Sequence, residues 1–326
     1  MKNTVIGIDI SKDSLDYCSL GSHDVQVKSR GVLENHGKTI HQWLESFDRQ
    51  LAVFALEHTG HYGAVLMDAL SEKGFKFYMI NPLELKKSLG IQRGKSDSKD
   101  AYRIAEYAIT NKHKLSPYHL PSDNLAKLKA LVTARERYVK MSVQVQNSLK
   151  ANEILNKTID VRMLIKEEKK QYRSLQRSIA NIEAEMQRII KSDQELKKSY
   201  AKVTAIIGVG PVIATKCITE TANFTRFQDP RKFSCHCGLA PFPYRSGSSI
   251  RGRTRTHYLR DRSMKAVLTK GALTAVQHDP QLKNYYERKI SEGKHHMSVV
   301  NAVANKLVLR IFAIAKREEP FVKLSN

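Results

Sequence analysis

The chain has 326 residues, of which 41% are hydrophobic, and its 55 Lys and Arg against 32 Asp and Glu give a net charge of +23 and a pI near 9.8. This length allows two domains with cores of their own, and the charge favours a polyanionic partner, either nucleic acid or an anionic membrane. No apolar run has the roughly 20 residues that span a bilayer, and Asp9 breaks the apolar N-terminal stretch of a signal peptide, so we expect a soluble, cytoplasmic, nucleic-acid-binding protein.

The first third of the chain is predicted to form a mixed α/β domain. Short apolar runs indicate strands, and amphipathic stretches between them indicate helices. Strands that precede an alternation of helix and strand favour a mixed sheet with flanking helices. The predicted strands lie at 3–9, 14–20, 24–29, 51–57 and 75–81, and the predicted helices at 37–49 and 62–73.

A long helical arm is predicted for the middle of the chain. Residues 122–207 contain neither Gly nor Pro and are rich in Lys, Glu, Gln, Leu and Ile. An apolar seam recurs there at steps of four and three residues, as in a coiled coil or a long helical hairpin. The seam consists of Leu175, Ile179, Ile182, Met186 and Ile189. Such an arm joins domains or pairs protomers, or it packs as a hairpin within one monomer.

A Gly-x-Gly turn separates two apolar helical pieces in AIIGVGPVIATKCITE, at 205–220. The pattern is similar to a helix-hairpin-helix, in which backbone N–H groups of the turn bind a DNA phosphate. Gly208 and Gly210 are therefore candidate nucleic-acid-binding residues. A tight interhelical turn explains the same glycines without any ligand.

The most basic segment is GLAPFPYRSGSSIRGRTRTHYLR, at 238–260, and it reads as a Gly- and Ser-rich loop with interleaved tyrosines. Such a loop is suited to contact with phosphates. Ten basic and two acidic residues occur between 226 and 265. The candidate phosphate-binding side chains are Arg245, Arg251, Arg253, Arg255 and Arg260. Residues 263–316 then predict two or three helices.

The four cysteines, at positions 18, 217, 235 and 237, are predicted to be reduced thiols. The spacing of Cys235 and Cys237 does not match the usual zinc-binding pairs, and no second pair lies nearby.

Four acidic residues occur where a solvated surface does not require them: Asp9, Glu57, Asp97 and Asp100. The first two end apolar strands, and the last two lie i, i+3 on the first turns of a predicted helix, in GKSDSKDAYRIAEYA. Two strand ends and one helix face can converge, and carboxylate oxygens suit Mg²⁺. Two such ions can stabilise the attacking and leaving oxygens of a phosphodiester displacement. The pattern therefore predicts a site for two Mg²⁺ ions.

Each of these acids alone has a simpler explanation. Asp97 and Asp100 can complement a helix dipole, and Asp9 can simply end a strand. Glu57 is harder to explain in this way, because the strand before it is so apolar. Together, in so basic a protein, the four acids favour the metal site. The nearby Asp13 and Asp16 are expected to face solvent.

In these motifs the chain resembles the DEDD transposases of the insertion-sequence-110 family and the related DNA invertases of the Piv type. GIDISKD, LEHTGHYG, NPLELK and GKSDSKDAYRIAEY are similar to the N-terminal half of that family. IIGVGPVIATKCI and FSCHCGLAPFPYRSGSSIRGRTR, with the helices after them, are similar to its C-terminal half. The resemblance covers nearly the whole chain, in order.

The resemblance implies a RuvC-like, ribonuclease-H-fold domain at 1–120, a helical coiled-coil arm at 121–200 and a small all-helical transposase domain at 201–326. Members are recombinases that excise and insert their own element. A structured non-coding bridge RNA pairs with donor and target DNA in characterised relatives. The resemblance therefore implies an RNA-guided homodimer or homotetramer associated with the prokaryotic nucleoid.

The resemblance also assigns the site residues. The family's acidic tetrad maps onto Asp9, Glu57, Asp97 and Asp100. Its catalytic serine maps onto Ser246, although spacing alone does not separate Ser246 from Ser248 and Ser249. Many relatives carry a Ser-Lys-x-Gly element after the serine, whereas THYLRDRSMKAVL here has no Gly, so no role is carried over to a lysine there.

The expected mechanism is attack by Ser246 on a DNA phosphate, which gives a phosphoserine and a free hydroxyl end. A serine hydroxyl is a weak nucleophile until a base or metal takes its proton, and this loop has no adjacent acid. A composite site that presents Ser246 to the Mg²⁺-bound acids, within one protomer or across a dimer, solves this problem. Arg245 and Arg251 are candidates to neutralise the phosphorane charge or to contact the DNA backbone.

Two other functions fit parts of the pattern. A metal-dependent junction nuclease would use water as the nucleophile, with Ser246 only holding a phosphate. A non-enzymatic architectural protein would use the basic loop and arm alone, but four carboxylates near a phosphate path repel it without a cation. A role at a membrane surface is disfavoured, because no basic amphipathic helix has a strongly apolar opposite face.

Overall fold

The computed structural model describes residues 4–58, 60–88, 97–247 and 250–317, and it divides into two compact units, residues 1–120 and 121–326. A few side chains within these ranges lie outside the description. They are those of Asp97, Ser98, Ser246, Ile250, Arg251 and Arg253.

The first unit contains a five-stranded mixed sheet, which confirms the mixed α/β prediction. Its strands are β1 (Thr4–Ile10), β2 (Ser14–Gly21), β3 (Val27–Glu34), β4 (Ala52–Glu57) and β5 (Lys76–Ile80). Their order in the sheet is β3-β2-β1-β4-β5. The first three strands form an antiparallel meander, and β4 and β5 run parallel to β1. The third strand begins three residues later than predicted, because the chain turns over residues 22–26, where Val25 has a positive φ of 54°.

Helices cover both faces of this sheet. They are α1 (Gly37–Leu44), α2 (Ala64–Glu72), α3 (Pro82–Ser88) and α4 (Asp97–Thr110), followed by a short 3₁₀ turn at Lys112–Lys114. On one face α1 and α2 pack against Ile6, Ile8 and Phe54. On the other face α4 packs against Val5 and Ala55. Burial on both faces explains why AVFALE in β4 is apolar at almost every position.

Helix α4 approaches the sheet closely at Gly7 of β1. A Cβ atom built on Gly7 would lie 2.9 Å from Cβ of Ala105 and closer still to backbone atoms of Ala101 and Ala105. Glycine is therefore required at this position by space. The small residues Ala101 and Ala105 on α4 complement it, so that the helix backbone rests directly on β1.

The second unit begins with a long antiparallel helical hairpin, α5 (Asp123–Leu155) and α6 (Arg162–Ser192). The predicted seam of α6 is its buried or half-buried stripe. Near the base of the hairpin the contact is apolar, between residues such as Leu128 and Met186. Further out it becomes polar, since Gln176 donates to Ser142 at 2.8 Å and Ser148 donates to Glu168 at 2.6 Å. The hairpin therefore packs against itself along most of its length.

The remaining helices build one core. They are α7 (Gln194–Thr204), α8 (Pro211–Glu220), α9 (Pro230–His236), α10 (Arg262–His278), α11 (Pro280–Ser291) and α12 (His296–Lys316). By length and composition α12 could cross a membrane, with a mean hydropathy of 1.5. Its residues Val303, Leu307 and Phe312 are buried in this core, as expected of the central helix of a folded domain.

The C-terminal part is not all-helical, so that prediction is wrong. Residues of the basic loop form a β-hairpin, β6 (Phe242–Ser246) and β7 (Ile250–Arg255). The β-prone residues Phe242, Tyr244 and Ile250 favour extended backbone, and Gly247, with φ of 54°, allows the chain to reverse. The Arg, Gly and Ser content of this segment suggested a loop and concealed the strands.

The Gly-x-Gly turn packs inside the second unit. Gly208 has a φ of 89°, and a Cβ atom there would lie 2.5 Å from the carbonyl oxygen of Gly271 on α10. Gly210 precedes α8, and a Cβ atom there would meet nothing within 4 Å. Packing alone therefore explains Gly208, whereas it does not explain Gly210.

All four cysteines are free thiols, as predicted. Burial raises the pKa of the Cys217 thiol to about 12, and it also raises the pKa of Cys237. Both thiols therefore remain protonated at neutral pH and pack as small apolar residues.

Candidate metal and nucleic-acid sites

Two of the four predicted acids lie side by side at the edge of the first unit's sheet. Strands β1 and β4 are parallel, with Ile8 paired to Leu56, so Asp9 and Glu57 are the next residues along the two strands. Both side chains are half-buried. The carboxyl ends of parallel strands thus bring together two acids that are 48 residues apart in sequence.

Asp9 and Glu57 also lie on the face of the sheet that α4 covers. Side chains along a strand alternate between the two faces of a sheet, so Asp9 shares a face with Gly7 and Glu57 shares a face with Ala55. Gly7 lies against the backbone of α4, and Ala55 belongs to the core that α4 forms with the sheet. The apolar contact with α4 therefore gives way to two carboxylates along the same face.

Asp16 lies on this face too, contrary to the expectation that it faces solvent. It is paired with Asp9 across β1 and β2, and it is half-buried. Directly paired residues share a face, as do Gly7 and Cys18 one step earlier. Asp13, in the turn between the strands, is exposed as predicted. The sequence shows that side chains of β2 alternate between two faces, but only the register with β1 shows which of these faces carries Asp9 as well.

The helical acids occupy the first turn of α4. Asp100 is half-buried and forms an ion pair of 2.8 Å with Arg103. It lies one turn before the buried Ile104, at the edge of the helix stripe that covers the sheet. Asp97 is the first residue of α4, one turn before the buried Ala101, but its side chain lies outside the described residues. Convergence of all four acids thus stays a prediction.

A different group of potential metal ligands occurs in the described part of the second unit. Potential ligand atoms of Glu220, His236 and Asp261 all lie within 4.8 Å of one another. This group could not be recognised in the sequence, because its members lie on three separate elements with no recognisable ligand spacing.

The predicted nucleophile lies at the end of strand β6. The backbone of Ser246 pairs with Ile250 across the hairpin, and Gly247 follows in the turn. The side chain of Ser246 and the whole of Ser248 and Ser249 lie outside the described residues, so the structure does not separate the three serines.

The predicted phosphate-binding residues follow the same hairpin. Arg245 and Arg255 are exposed, and Tyr244, between them on the two-stranded sheet, is 69% exposed. The side chains of Arg251 and Arg253 on β7 lie outside the described residues. The hairpin therefore presents cations and an aromatic ring to solvent, which suits contact with nucleic acid.

Arg260 has a partly structural role. Its guanidinium donates to the carbonyl oxygen of His257 at 3.2 Å, and its aliphatic stem covers Gly238. Burial lowers the pKa of Lys265, with a smaller contribution from Arg260, and the Lys265 ammonium donates to the carbonyl oxygen of Gly238 at 2.9 Å. These contacts fix the base of the hairpin.

Two family models match the chain. A model described as transposase, of the DEDD insertion-sequence-110 type, matches residues 6–160. A model of the transposase IS116/IS110/IS902 family matches residues 200–287. Between them they cover both the acids of the first unit and the serine hairpin of the second.

Individual relatives agree with these matches. The pilin gene-inverting protein of Moraxella bovis is 24% identical, over 99% of this chain and 99% of that protein. The insertion element IS110 43.6 kDa protein of Streptomyces coelicolor is 28% identical, over 35% of this chain and 28% of that protein. Among solved structures, Thermus thermophilus RuvC in complex with a Holliday junction substrate aligns with 36% of this chain and 99% of its own, at 15% identity and a TM-score of 0.28.

Proposed function

Because the chain belongs to the insertion-sequence-110 family of transposases and DNA invertases, we propose that it cuts and rejoins DNA strands during transposition of an insertion sequence. The observation that carries the proposal is that Asp9 and Glu57 directly follow the paired residues Ile8 and Leu56 at the carboxyl ends of β1 and β4, on the face under α4. Like charges on neighbouring strands are destabilising in a purely structural sheet, whereas a metal-dependent phosphoryl-transfer site uses carboxylates that lie together.

The residues of the first unit fit divalent cations. Asp9, Glu57 and the first turn of α4 supply hard oxygen donors, and a divalent cation between neighbouring half-buried carboxylates offsets their mutual repulsion. Enzymes of this family usually depend on a divalent metal, and we propose Mg²⁺, two ions per site, held by Asp9, Glu57, Asp97 and Asp100. When bound, the ions stabilise charge on the attacking and leaving oxygens. Asp16 is a fifth acid on the same face.

Ser246 is proposed as the nucleophile. Its Oγ loses its proton and forms a bond to the DNA phosphorus, the bond to the leaving oxygen breaks, and that oxygen takes up a proton and departs as a free hydroxyl end. The bond energy is retained in the phosphoserine, so a second hydroxyl end can displace Ser246 and reseal the strand without hydrolysis. The exposed position of the hairpin and its neighbour Arg245 support this role.

The remaining parts are assigned by family resemblance. The first unit is proposed to be RuvC-like, which its strand order and directions support, and the arm and the Gly208–Gly210 turn are proposed to contact nucleic acid. A structured guide RNA and a homodimer or homotetramer are proposed as partners, with the cytoplasmic DNA as substrate. RNA that copurifies with the full-length protein should be one discrete structured species. Recovery of only heterogeneous cellular RNA would contradict the guided mechanism.

The metal role of the acids can be tested by strand cleavage. We expect Asp9→Asn, Glu57→Gln and Asp97→Asn to abolish Mg²⁺-dependent cleavage while the fluorescence of the folded protein is unchanged. Asp13→Asn is the matched control, because Asp13 is exposed in the turn after β1. Undiminished cleavage by any of the three variants would remove that residue from the site.

A further inference from the structure

The group of Glu220, His236 and Asp261 has the chemistry of a second metal site, separate from the tetrad of the first unit. Glu220 is the last residue of α8, His236 is the last residue of α9, and Asp261 is the N-cap of α10. All three side chains are half-buried, and their potential ligand atoms lie within 4.8 Å of one another. Three helix ends therefore meet at one point.

The imidazole of His236 supplies an independent observation. Its Nε2 atom is excluded from solvent and has no hydrogen-bond partner in the described part of the chain. Buried polar atoms are almost always satisfied, so an orphaned nitrogen on a ring that lies beside two carboxylates indicates a missing partner. The ring contacts Phe227 and Phe233, at centroid distances of 5.4 and 6.1 Å, and these contacts hold its orientation.

Both carboxylates have coordination capacity left. One oxygen of Asp261 accepts the Met264 N–H at 2.8 Å, as a helix N-cap does, which leaves its second oxygen. No hydrogen bond or ion pair among the described residues involves the Glu220 carboxylate, whose charge acts on Cys217 and His236. The charges of Arg226 and Lys129 act on His236, and neither side chain forms an ion pair with the two acids within the described residues.

Burial and, secondly, the charge of Arg226 lower the pKa of His236, whereas Asp261 and Glu220 raise it by smaller amounts.

We propose that Glu220, His236 and Asp261 bind one divalent transition-metal ion of the Zn²⁺ class. One imidazole nitrogen and two carboxylate oxygens are a three-residue set that Zn²⁺ accepts, with water as the fourth ligand. Bonds of about 2.1 Å in a tetrahedral site place ligand atoms about 3.4 Å apart, so small side-chain rotations bring the group into range. Mg²⁺ is a poorer fit, because it prefers an all-oxygen octahedral shell.

The proposed metal site lies at the base of the β-hairpin of β6 and β7. His236 and Asp261 bracket residues 237–260, and the Asp261 N–H donates to the His236 carbonyl oxygen at 2.8 Å. A shared metal ion would fix both ends of the segment that carries Ser246. This consequence rests on the proposed function, whereas the metal site itself does not.

The test is equilibrium dialysis of the full-length, chelator-treated protein against Zn²⁺, with metal content measured by mass spectrometry. The protein carries Asp9→Asn and Glu57→Gln, so that the first unit contributes no metal. We expect one Zn²⁺ per chain, and at least a 100-fold weaker affinity after Glu220→Gln or Asp261→Asn. Asn at position 261 retains the helix cap, so the second variant removes charge without removing the cap.

The control is Cys235→Ser, next to His236 but outside the group, which should bind Zn²⁺ as before. Absence of bound Zn²⁺, or unchanged affinity in both the Glu220 and Asp261 variants, would overturn the proposal. Loss of Zn²⁺ in Cys235→Ser alone would assign the metal to the thiols and would overturn it as well. Since no cleavage is measured, failure here is distinguishable from failure of the proposed recombinase function.

Discussion

Replacement of Gly7 by Ala tests whether the contact between α4 and β1 positions the acidic site. The new methyl group would lie 2.9 Å from Cβ of Ala105 and nearer to the backbone of Ala101 and Ala105. Backbone atoms of a helix cannot rotate away as a side chain can. The methyl group must therefore displace α4 as a whole.

The size of the effect follows from these distances. Ordinary van der Waals contact needs 3.4–4 Å. We expect α4 to retreat by about 1 Å, at a cost near the upper end of the overpacking range, about 3 kcal/mol of unfolding free energy. The same retreat moves Asp97 and Asp100 relative to Asp9, and a misplacement of this size is expected to lower metal-dependent cleavage about 100-fold.

Urea unfolding followed by tryptophan fluorescence measures the stability loss. Trp43 is the only tryptophan and packs against Tyr17, Phe47 and Phe54, so its signal reports on the first unit. With a slope of about 2 kcal/mol/M, the midpoint should fall by about 1.5 M.

The control for this experiment is Gly37→Ala, at the start of α1. The new methyl group there meets only Val65, at 3.7 Å, and should leave stability unchanged or raise it by up to about 1 kcal/mol. An unchanged midpoint for Gly7→Ala would refute the reasoning.

Three further predictions concern the second unit. Glu136→Ala should lower the free energy of unfolding by about 3 kcal/mol, measured by calorimetry, because it removes the ion-pair partner of the buried Lys216 ammonium. Lys216→Met should lower it by less than half as much, and equal losses in the two variants would contradict this explanation. Gly208→Ala should lower the free energy of unfolding by at least about 3 kcal/mol, because Gly208 has a positive φ and contacts Gly271. Gly210→Ala should lower it by less than about 1 kcal/mol, and equal melting temperatures of the two variants would refute the packing role of Gly208. Arg255→Gln should reduce the slope of log affinity for DNA against log salt concentration by about 0.9. The control is Arg288→Gln, which should leave the slope unchanged because Arg288 is ion-paired to Glu292. Equal slopes for the two variants would remove Arg255 from the interface.

Much of the first unit could be predicted from the sequence, because its strands are short, apolar and separated by amphipathic helices. The alternation in β1 and the apolar run of β4 placed Asp9 and Glu57 at strand ends, and the structure makes them neighbours. The face of Asp16 could not be predicted, since it depends on the register between β1 and β2. The need for glycine at position 7 was equally hidden, because it arises from a helix 90 residues further along the chain.

The second unit was harder to predict. The steps of four and three residues in α6 correctly identified its buried seam, because periodicity directly reflects one helix face. The hairpin of β6 and β7 was missed, since its strands are solvent-exposed and carry arginines in place of an apolar alternation. The group at Glu220 was missed for a different reason. Convergence of three helix ends is a tertiary property with no local pattern.

The most direct measurement of the central claim is the mapping of the covalent protein–DNA adduct. The full-length protein would be trapped with its DNA substrate and Mg²⁺, digested, and examined by mass spectrometry for phosphoserine-linked nucleotide. We expect the adduct on Ser246, its loss in Ser246→Ala with DNA binding retained, and its persistence in Ser248→Ala and Ser249→Ala. An adduct that persists in Ser246→Ala, or cleavage by the unaltered protein with no adduct at any serine, would contradict the proposed mechanism.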